Sequence, residues 1–319
     1  MTAIFPYMNT ENYYSDITEL IGSTPLLKIN RMAPAGGAEI LAKLEWYNIG
    51  GSVKDRVALY MIEFAEASGT LTREKTIIEA TSGNTGIALA MIGAHKGYHV
   101  TIVMSESASQ ERKKIISAYG ADLILTPANK GTAGAIELKN RLIDENPEKY
   151  VSMDQFRNPA NVFAHYHGTA SEILRQTGGK IDMVVCTVGT GGTSNGIGKK
   201  LKESVPGIKL VGVTPALGVA IQGIRNPKEP NPSQWVDMSL FDEFIELSES
   251  DRDEAFRTGM EAARREGLLL GMSSSCALNV AIKESIKLGS GKRIVVILPD
   301  NGMKYLSGNY FTEKSRKIA

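Results

Sequence analysis

A lysine stands where a helix begins. Asn48–Gly69 reads NIGGSVKDRVALYMIEFAEASG, in which Gly50 and Gly51 make a turn and Ser52 is a good N-cap. Val53, Leu59, Tyr60 and Phe64 then supply apolar positions of an amphipathic helix. A helix N-terminus carries partial positive charge, so the ammonium of Lys54 is disfavoured there by roughly 0.3–1 kcal/mol; Asp55 offsets part of that. A lysine held towards its neutral form is a nucleophile and a base. Taken alone, though, a first-turn lysine is usually an ordinary surface residue.

Three further turns are rich in groups that bind anions. TSGNTG (Thr81–Gly86) joins a strand to a helix, and its hydroxyls and amide add donors to the free N–H groups of a helix start. It suits a carboxylate or a phosphate, and equally a polar capping turn. GTGGT (Gly189–Thr193) has three glycines that let backbone close on a phosphate. It lacks the Lys-Ser/Thr pair of a nucleotide loop, and the third glycine of a dinucleotide fingerprint falls on Ser194, so a single phosphate group is favoured. GMSSSC (Gly271–Cys276) reads first as helix capping. An activatable lysine, a one-phosphate cradle and a carboxylate cradle together fit a lysine Schiff base to pyridoxal phosphate.

The elements that must position these turns recur as strand, glycine-rich turn and helix. Apolar runs at 40–45, 76–80, 99–104, 121–127, 150–156, 182–188, 209–215 and 293–299 alternate with helical patterns. That rhythm predicts an α/β fold of doubly wound, mainly parallel sheets with helices on both faces and ligands at the carboxyl ends of the strands. Gly223–Asp237, with three prolines and no period, reads as a surface loop. The 319 residues suffice for two domains, and a net charge of +1 gives no ground for a nucleic-acid or membrane partner. No apolar run reaches the roughly 20 residues of a membrane span, and MTAIFPYMNTENYY has no leader pattern. Two cysteines, Cys186 and Cys276, form no CxxC, and His165 and His167 have no third ligand nearby, so no metal site is expected. A cytoplasmic location follows as the default.

GGSVKDR, TSGNTG, QFRNPAN and GTGGT occur in that order, and the chain closely resembles the cysteine synthases (O-acetylserine sulfhydrylases) and their cystathionine β-synthase relatives, fold-type II pyridoxal phosphate enzymes. The resemblance runs from Ile21 to Ser307. It implies that Lys54 forms the Schiff base and serves as catalytic base, and that Asn84 bonds the cofactor's phenolic oxygen. It implies that Gly189, Thr190, Gly191, Gly192 and Thr193 hold the phosphate and that Ser273 faces the pyridine nitrogen. Thr81, Ser82, Thr85 and Gln155 would receive the substrate carboxylate, with Gly223 also at the substrate. The implied reaction is pyridoxal phosphate-dependent β-replacement forming L-cysteine from O-acetyl-L-serine and sulfide through an aminoacrylate; the alternatives are O-phosphoserine as donor, a cystathionine β-synthase activity joining serine and homocysteine, or a cysteine desulfurating activity that releases sulfide. The implied architecture is a smaller, mobile substrate-binding domain at 46–161 and a larger phosphate-binding domain of 10–45 plus 162–319, with the active site in the cleft between them. A homodimer is implied, and for some relatives a complex with serine acetyltransferase. The chain departs from the family pattern at Arg225, a fixed charge able to grip a phosphate or to sit solvated in a loop. It departs again at Ser275 and Cys276, expected to change polarity beside the cofactor ring.

Overall fold

The computed structural model describes residues 13–311. Residues 10–12 and 312–319 of the expected larger domain, and most of the stretch read for a leader, lie outside the described residues. Short apolar strands alternate with helices along the chain. They are β1 (Leu26–Lys28), β2 (Glu39–Leu44), α1 (Lys54–Ala67), β3 (Thr76–Ala80), α2 (Asn84–Lys96), β4 (Val100–Ser105) and α3 (Gln110–Ala118). Next come β5 (Asp122–Thr126), α4 (Gly131–Glu145), β6 (Tyr150–Ser152), α5 (Ala160–Phe163), α6 (Ala170–Thr177), β7 (Met183–Thr187) and α7 (Gly192–Ser204). The chain continues through β8 (Lys209–Pro215), β9 (Glu243–Leu247), α8 (Glu249–Glu266), α9 (Met272–Leu288) and β10 (Arg293–Leu298).

These strands build two sheets, a six-stranded one in the order β1-β2-β10-β7-β8-β9 and a four-stranded one in the order β5-β4-β3-β6. All pairings are parallel except β1 with β2. Both sheets are covered on both faces, which is why their strands are apolar throughout rather than alternating. On β7, Met183 and Val185 join one core with α8 and α9, while Val184 and Cys186 join another with α6 and α7. Cys276 lies in the first of these cores and Cys186 in the second, so the sheet separates the two thiols. The smaller sheet packs α1, α2 and α3 against one face and α4 against the other.

Two local readings are corrected. β1 and β9 escape the sequence pattern because both are only partly buried edge strands. The helix expected after QFRNPAN is interrupted by a π-helical stretch at Ala164–Thr169 between α5 and α6. The Gly223–Asp237 segment is an irregular surface loop as expected, with Ile224 and Asn226 its only buried residues, and it is anchored to the elements beneath it. Asn226 is fully buried, the Ser233 hydroxyl donates to the Thr190 and Phe156 carbonyls, and Asn195 donates to the Trp235 carbonyl at 2.9 Å. No described helix is long and apolar enough to cross a membrane.

Candidate functional site

The carboxyl ends of β3 and β7 feed their turns into one cavity of about 1200 Å3. Its wall carries Lys54, Thr81 to Thr85, Gln155, Gly189 to Gly191, Thr193, Gly223, Arg225 and Ser273. Sequence-distant candidates thus converge on one space. Gly192 stands apart: it opens α7 against Asn161, where a Cβ would fall 2.1 Å from the amide oxygen. Its lack of a side chain serves close packing behind the loop.

Lys54 starts α1, with Val53 as the cap residue; Ser52 lies one place too early to be the predicted N-cap, although its hydroxyl accepts the Lys54 N–H at 3.2 Å. No carboxylate among the described residues lies within ion-pair distance of the ammonium. Burial pushes this amine from 10.5 down to about 8. At roughly 1.4 kcal/mol per pH unit that exceeds the helix-terminus contribution, so desolvation is the larger cause of the amine's availability. The turn before it is rigid: Gly50 donates to Asp55 at 2.7 Å, and a Cβ on Gly50 would meet that carboxylate. Lys304 donates to the Gly50 and Gly51 carbonyls at 3.0 Å each.

Facing Lys54, α2 begins at Asn84 with no side-chain cap, which leaves first-turn N–H groups open to a ligand. Thr85 donates to the side chain of Gln155 at 2.8 Å, joining two predicted carboxylate ligands. Asn84 donates to Asp300 at 2.8 Å while its Oδ1 is buried without a partner. Flipping the amide would set two acceptors against each other, so the Asp300 bond fixes its orientation and leaves the second N–H free. Tyr305 also donates to that Asp300 oxygen, at 2.7 Å.

α7 likewise begins without a side-chain cap, after Gly191 at φ +79°. Thr190 accepts from Asn161 at 3.0 Å, and Asn161 also donates to the Gln155 carbonyl at 2.7 Å. Thr193 lies 3.1 Å from His165, whose other nitrogen meets Thr169 at 2.9 Å. Burial holds His165 far below its usual pKa, so it is a neutral strut from the π-helical stretch to the phosphate-type loop. The serines of GMSSSC do not cap α9. Ser273 lines the cavity, Ser274 donates to the Asp300 carbonyl at 2.7 Å, and Ser275 turns back to Gly271 and Tyr310. Cys276 is core, its thiol pushed up to about 12 by burial, so neither Ser275 nor Cys276 presents new polarity to the cavity.

Sequence reasoning missed Asp300, Asn161, His165 and Arg112. None lies in a glycine-rich turn, and each acts by holding a residue that does. Arg112 on α3 donates to Gln222 at 2.6 Å and stands 4.9 Å over the Tyr305 ring. The LPDNG stretch was one signal available for Asp300, as the exit from the last strand.

Comparison with known proteins places this geometry in a family. Residues 17–300 match the family model described as pyridoxal-phosphate dependent enzyme. The chain belongs to this family, in its cysteine synthase and cystathionine β-synthase branch. It is 40% identical over 304 residues to cysteine synthase of Staphylococcus aureus, covering 92% of this chain and 95% of that one. It is 42% identical over 313 residues to cystathionine beta-synthase of Rattus norvegicus, covering 92% of this chain but spanning only 54% of that relative's length. Among solved structures, the cysteine synthase of Entamoeba histolytica superposes with a TM-score of 0.89 at 40% identity, covering 98% of this chain and 95% of that one. A hydrogen sulfide-producing enzyme from Fusobacterium nucleatum gives 0.86 at 40% identity, covering 92% of this chain and 98% of that one. Membership of this branch brings pyridoxal phosphate as cofactor and β-replacement as the class of chemistry.

Proposed function

We propose that the chain makes L-cysteine and acetate from O-acetyl-L-serine and hydrosulfide. The observation that carries this reading is the unpaired, half-buried Lys54 amine on the wall of a cavity shared with the Thr81–Thr85 turn and Gln155. The residues present fit the cofactor: the Asn84 amide nitrogen borders the cavity with one N–H spent on Asp300 and one left for an acceptor, and α7 opens its uncapped N-terminus onto it. Lys54 would bind pyridoxal phosphate covalently, Gly189–Thr193 would hold its phosphate, Ser273 would face its ring nitrogen and Asn84 its phenolic oxygen. Bound there, the cofactor supplies an electron sink for the charge left on Cα when its proton departs.

The chain's own residues do the rest. N–H groups at the start of α2, with Thr81, Ser82, Thr85 and Gln155, hold the donor's carboxylate and so fix the Cα–H bond towards Lys54. Lys54, neutral in a useful fraction near pH 8, takes that proton as general base and later returns it to Cα. Acetate leaves Cβ with its bonding electrons, and hydrosulfide forms the new C–S bond.

Arg225 favours a neutral ester over a phosphate donor. Its guanidinium donates to the Pro230 carbonyl at 2.6 Å and lies 3.5 Å from the Glu229 carboxylate and 5.5 Å from the Phe156 ring centroid. Nη2 and Nε are thus already engaged, which leaves less of the guanidinium for a phosphate. A second reading, an amino-acid thiol such as homocysteine or cysteine in place of hydrosulfide, has support in the cavity volume of about 1200 Å3. The test is a visible absorption spectrum after adding pyridoxal phosphate, followed by product analysis with each donor and nucleophile. Cysteine and acetate from acetylserine support the proposal. Turnover with O-phosphoserine alone, or with a thiol amino acid alone, overturns it in favour of the other donor or nucleophile.

A further inference from the structure

Behind Gln155 lies a buried acidic side chain with no place in the chemistry just described. Glu79 is the fourth residue of β3, next to Ala80 and the Thr81 turn, and is 2% exposed. The β3–β6 ladder is in register as far as Ile78 with Ser152. Beyond that point the Glu79 carboxylate accepts the Asp154 N–H at 2.9 Å and the Ser152 hydroxyl at 3.5 Å. A side chain therefore takes over as acceptor where the strand ladder ends. The backbone then turns through Asp154 at φ +44°, a left-handed conformation that a non-glycine residue holds only when its surroundings impose it. The next residue is Gln155, 5% exposed and bonded to Thr85.

From α4, Lys139 reaches the same Ser152 hydroxyl at 3.1 Å and is itself 7% exposed. Glu79, Lys139, Asp154 and Arg157 line a small cavity of about 90 Å3 beside this turn. Lys139 thus meets the carboxylate through the Ser152 hydroxyl, and the carboxylate itself takes one backbone N–H, that of Asp154.

We propose that Glu79 is a positioning residue of the substrate-carboxylate site, acting through the Asp154–Gln155 turn. It ties the end of β6 to the strand that carries Thr81–Thr85, so the two halves of the carboxylate cradle keep their spacing. The inference rests on the reading that Gln155 and the Thr81–Thr85 turn receive the substrate carboxylate.

The test compares two probes on the cofactor-loaded protein by calorimetry: L-serine and ethanolamine, the same molecule without its carboxylate. Glu79→Leu removes the acceptor. It is expected to weaken L-serine binding by about five- to tenfold, the scale of one lost hydrogen bond, with ethanolamine binding unchanged. Glu79→Gln keeps an acceptor and is expected to restore most of the L-serine affinity. If Glu79→Leu does not fold, Glu79→Asp, one methylene short, is expected to show the same selective loss in smaller measure. Equal weakening of both probes, or no weakening of L-serine, overturns the positioning role. A wild-type protein that does not discriminate between the probes overturns the carboxylate-site reading beneath it.

Discussion

Two cations stand two residues apart at the start of α1, and the protein treats them in opposite ways. Arg56 is buried and saturated: it donates to Glu45 at 2.7 and 3.0 Å, to Glu172 at 2.6 and 2.8 Å and to Thr24 at 3.1 Å. Lys43 adds bonds to Glu172 at 2.6 Å and to the Thr24 carbonyl at 2.7 Å. Burial opposes every charge in this cluster, but the partners outweigh it at Arg56, which is raised, and at Glu172, which is held at about 2. Lys54 has burial without a partner, and its amine falls to about 8. The difference teaches that an amine here is lowered by burying it while withholding a counter-charge. The paired cluster fastens α1 to β2 and α6, so that the unpaired lysine beside it does not move.

The largest expected effect breaks the reactive half of the comparison. Lys54→Ala should lower turnover by about a thousandfold or more and abolish the visible band formed with pyridoxal phosphate. It should not lower the melting temperature, because no ion pair is lost. A kcat within tenfold of wild type would show that Lys54 is not the base.

Breaking the other half should do the reverse. Glu172→Ala leaves Arg56 and Lys43 facing an empty site and should destabilise the fold by about 3–5 kcal/mol, read by denaturant titration. The wild-type contribution of Glu172 has a definite pH window. Its folded pKa is depressed from 4.5 to about 2, so the stability is present above 4.5 and is lost as pH falls towards 2. Wild type and variant should therefore converge in stability across that acid window. A constant gap between them would mean that Glu172 acts through packing alone.

Labelling separates the two lysines directly. Before cofactor is added, acylation of Lys54 should rise with pH and reach half its maximum near 8, as the amine loses its proton. Lys43, although also lowered by burial, is fully buried and ion-paired with Glu172, and should stay unlabelled until the protein unfolds. Equal labelling of both, followed by peptide mass analysis, would remove the distinction.

How much of this was legible in sequence follows from what each residue does. The βα rhythm and the turns that line the cavity were readable, because strand periodicity and glycine-hydroxyl turns are local signals. The cause of Lys54's low pKa was not, because burial is set by the closing of two sheets around it and not by its neighbours in the chain. His165, Asn161 and Glu79 were unreadable for the same reason, since each acts on a residue far away in sequence, and Asp300 had only its place at the exit of the last strand to mark it. Glu79 looks like one acidic residue in a strand until β6 is laid beside it. The Gly223–Asp237 loop was legible from its prolines as irregular surface chain, but its anchorage on a distant turn was not. Ser233 and Trp235 lie over the Thr190–Gly191 turn.

The smallest effect tests whether pairing also tunes the far end of the cavity. Arg225 is half-buried, with Glu229 at 3.5 Å, a longer and wetter contact than those of Arg56. An ion pair of that kind is worth about 1 kcal/mol or less, so freeing the guanidinium should shift donor choice by less than about tenfold. Glu229→Gln is therefore expected to raise kcat/KM for O-phosphoserine several-fold and leave O-acetylserine unchanged, measured side by side at one ionic strength. Added salt should shrink the gain, since a freed arginine attracts phosphate by charge. A gain for both donors would place Glu229 in loop closure. No gain for either would mean that the Pro230 carbonyl and the Phe156 ring already hold Arg225 out of reach, and that withheld pairing governs reactivity only at Lys54.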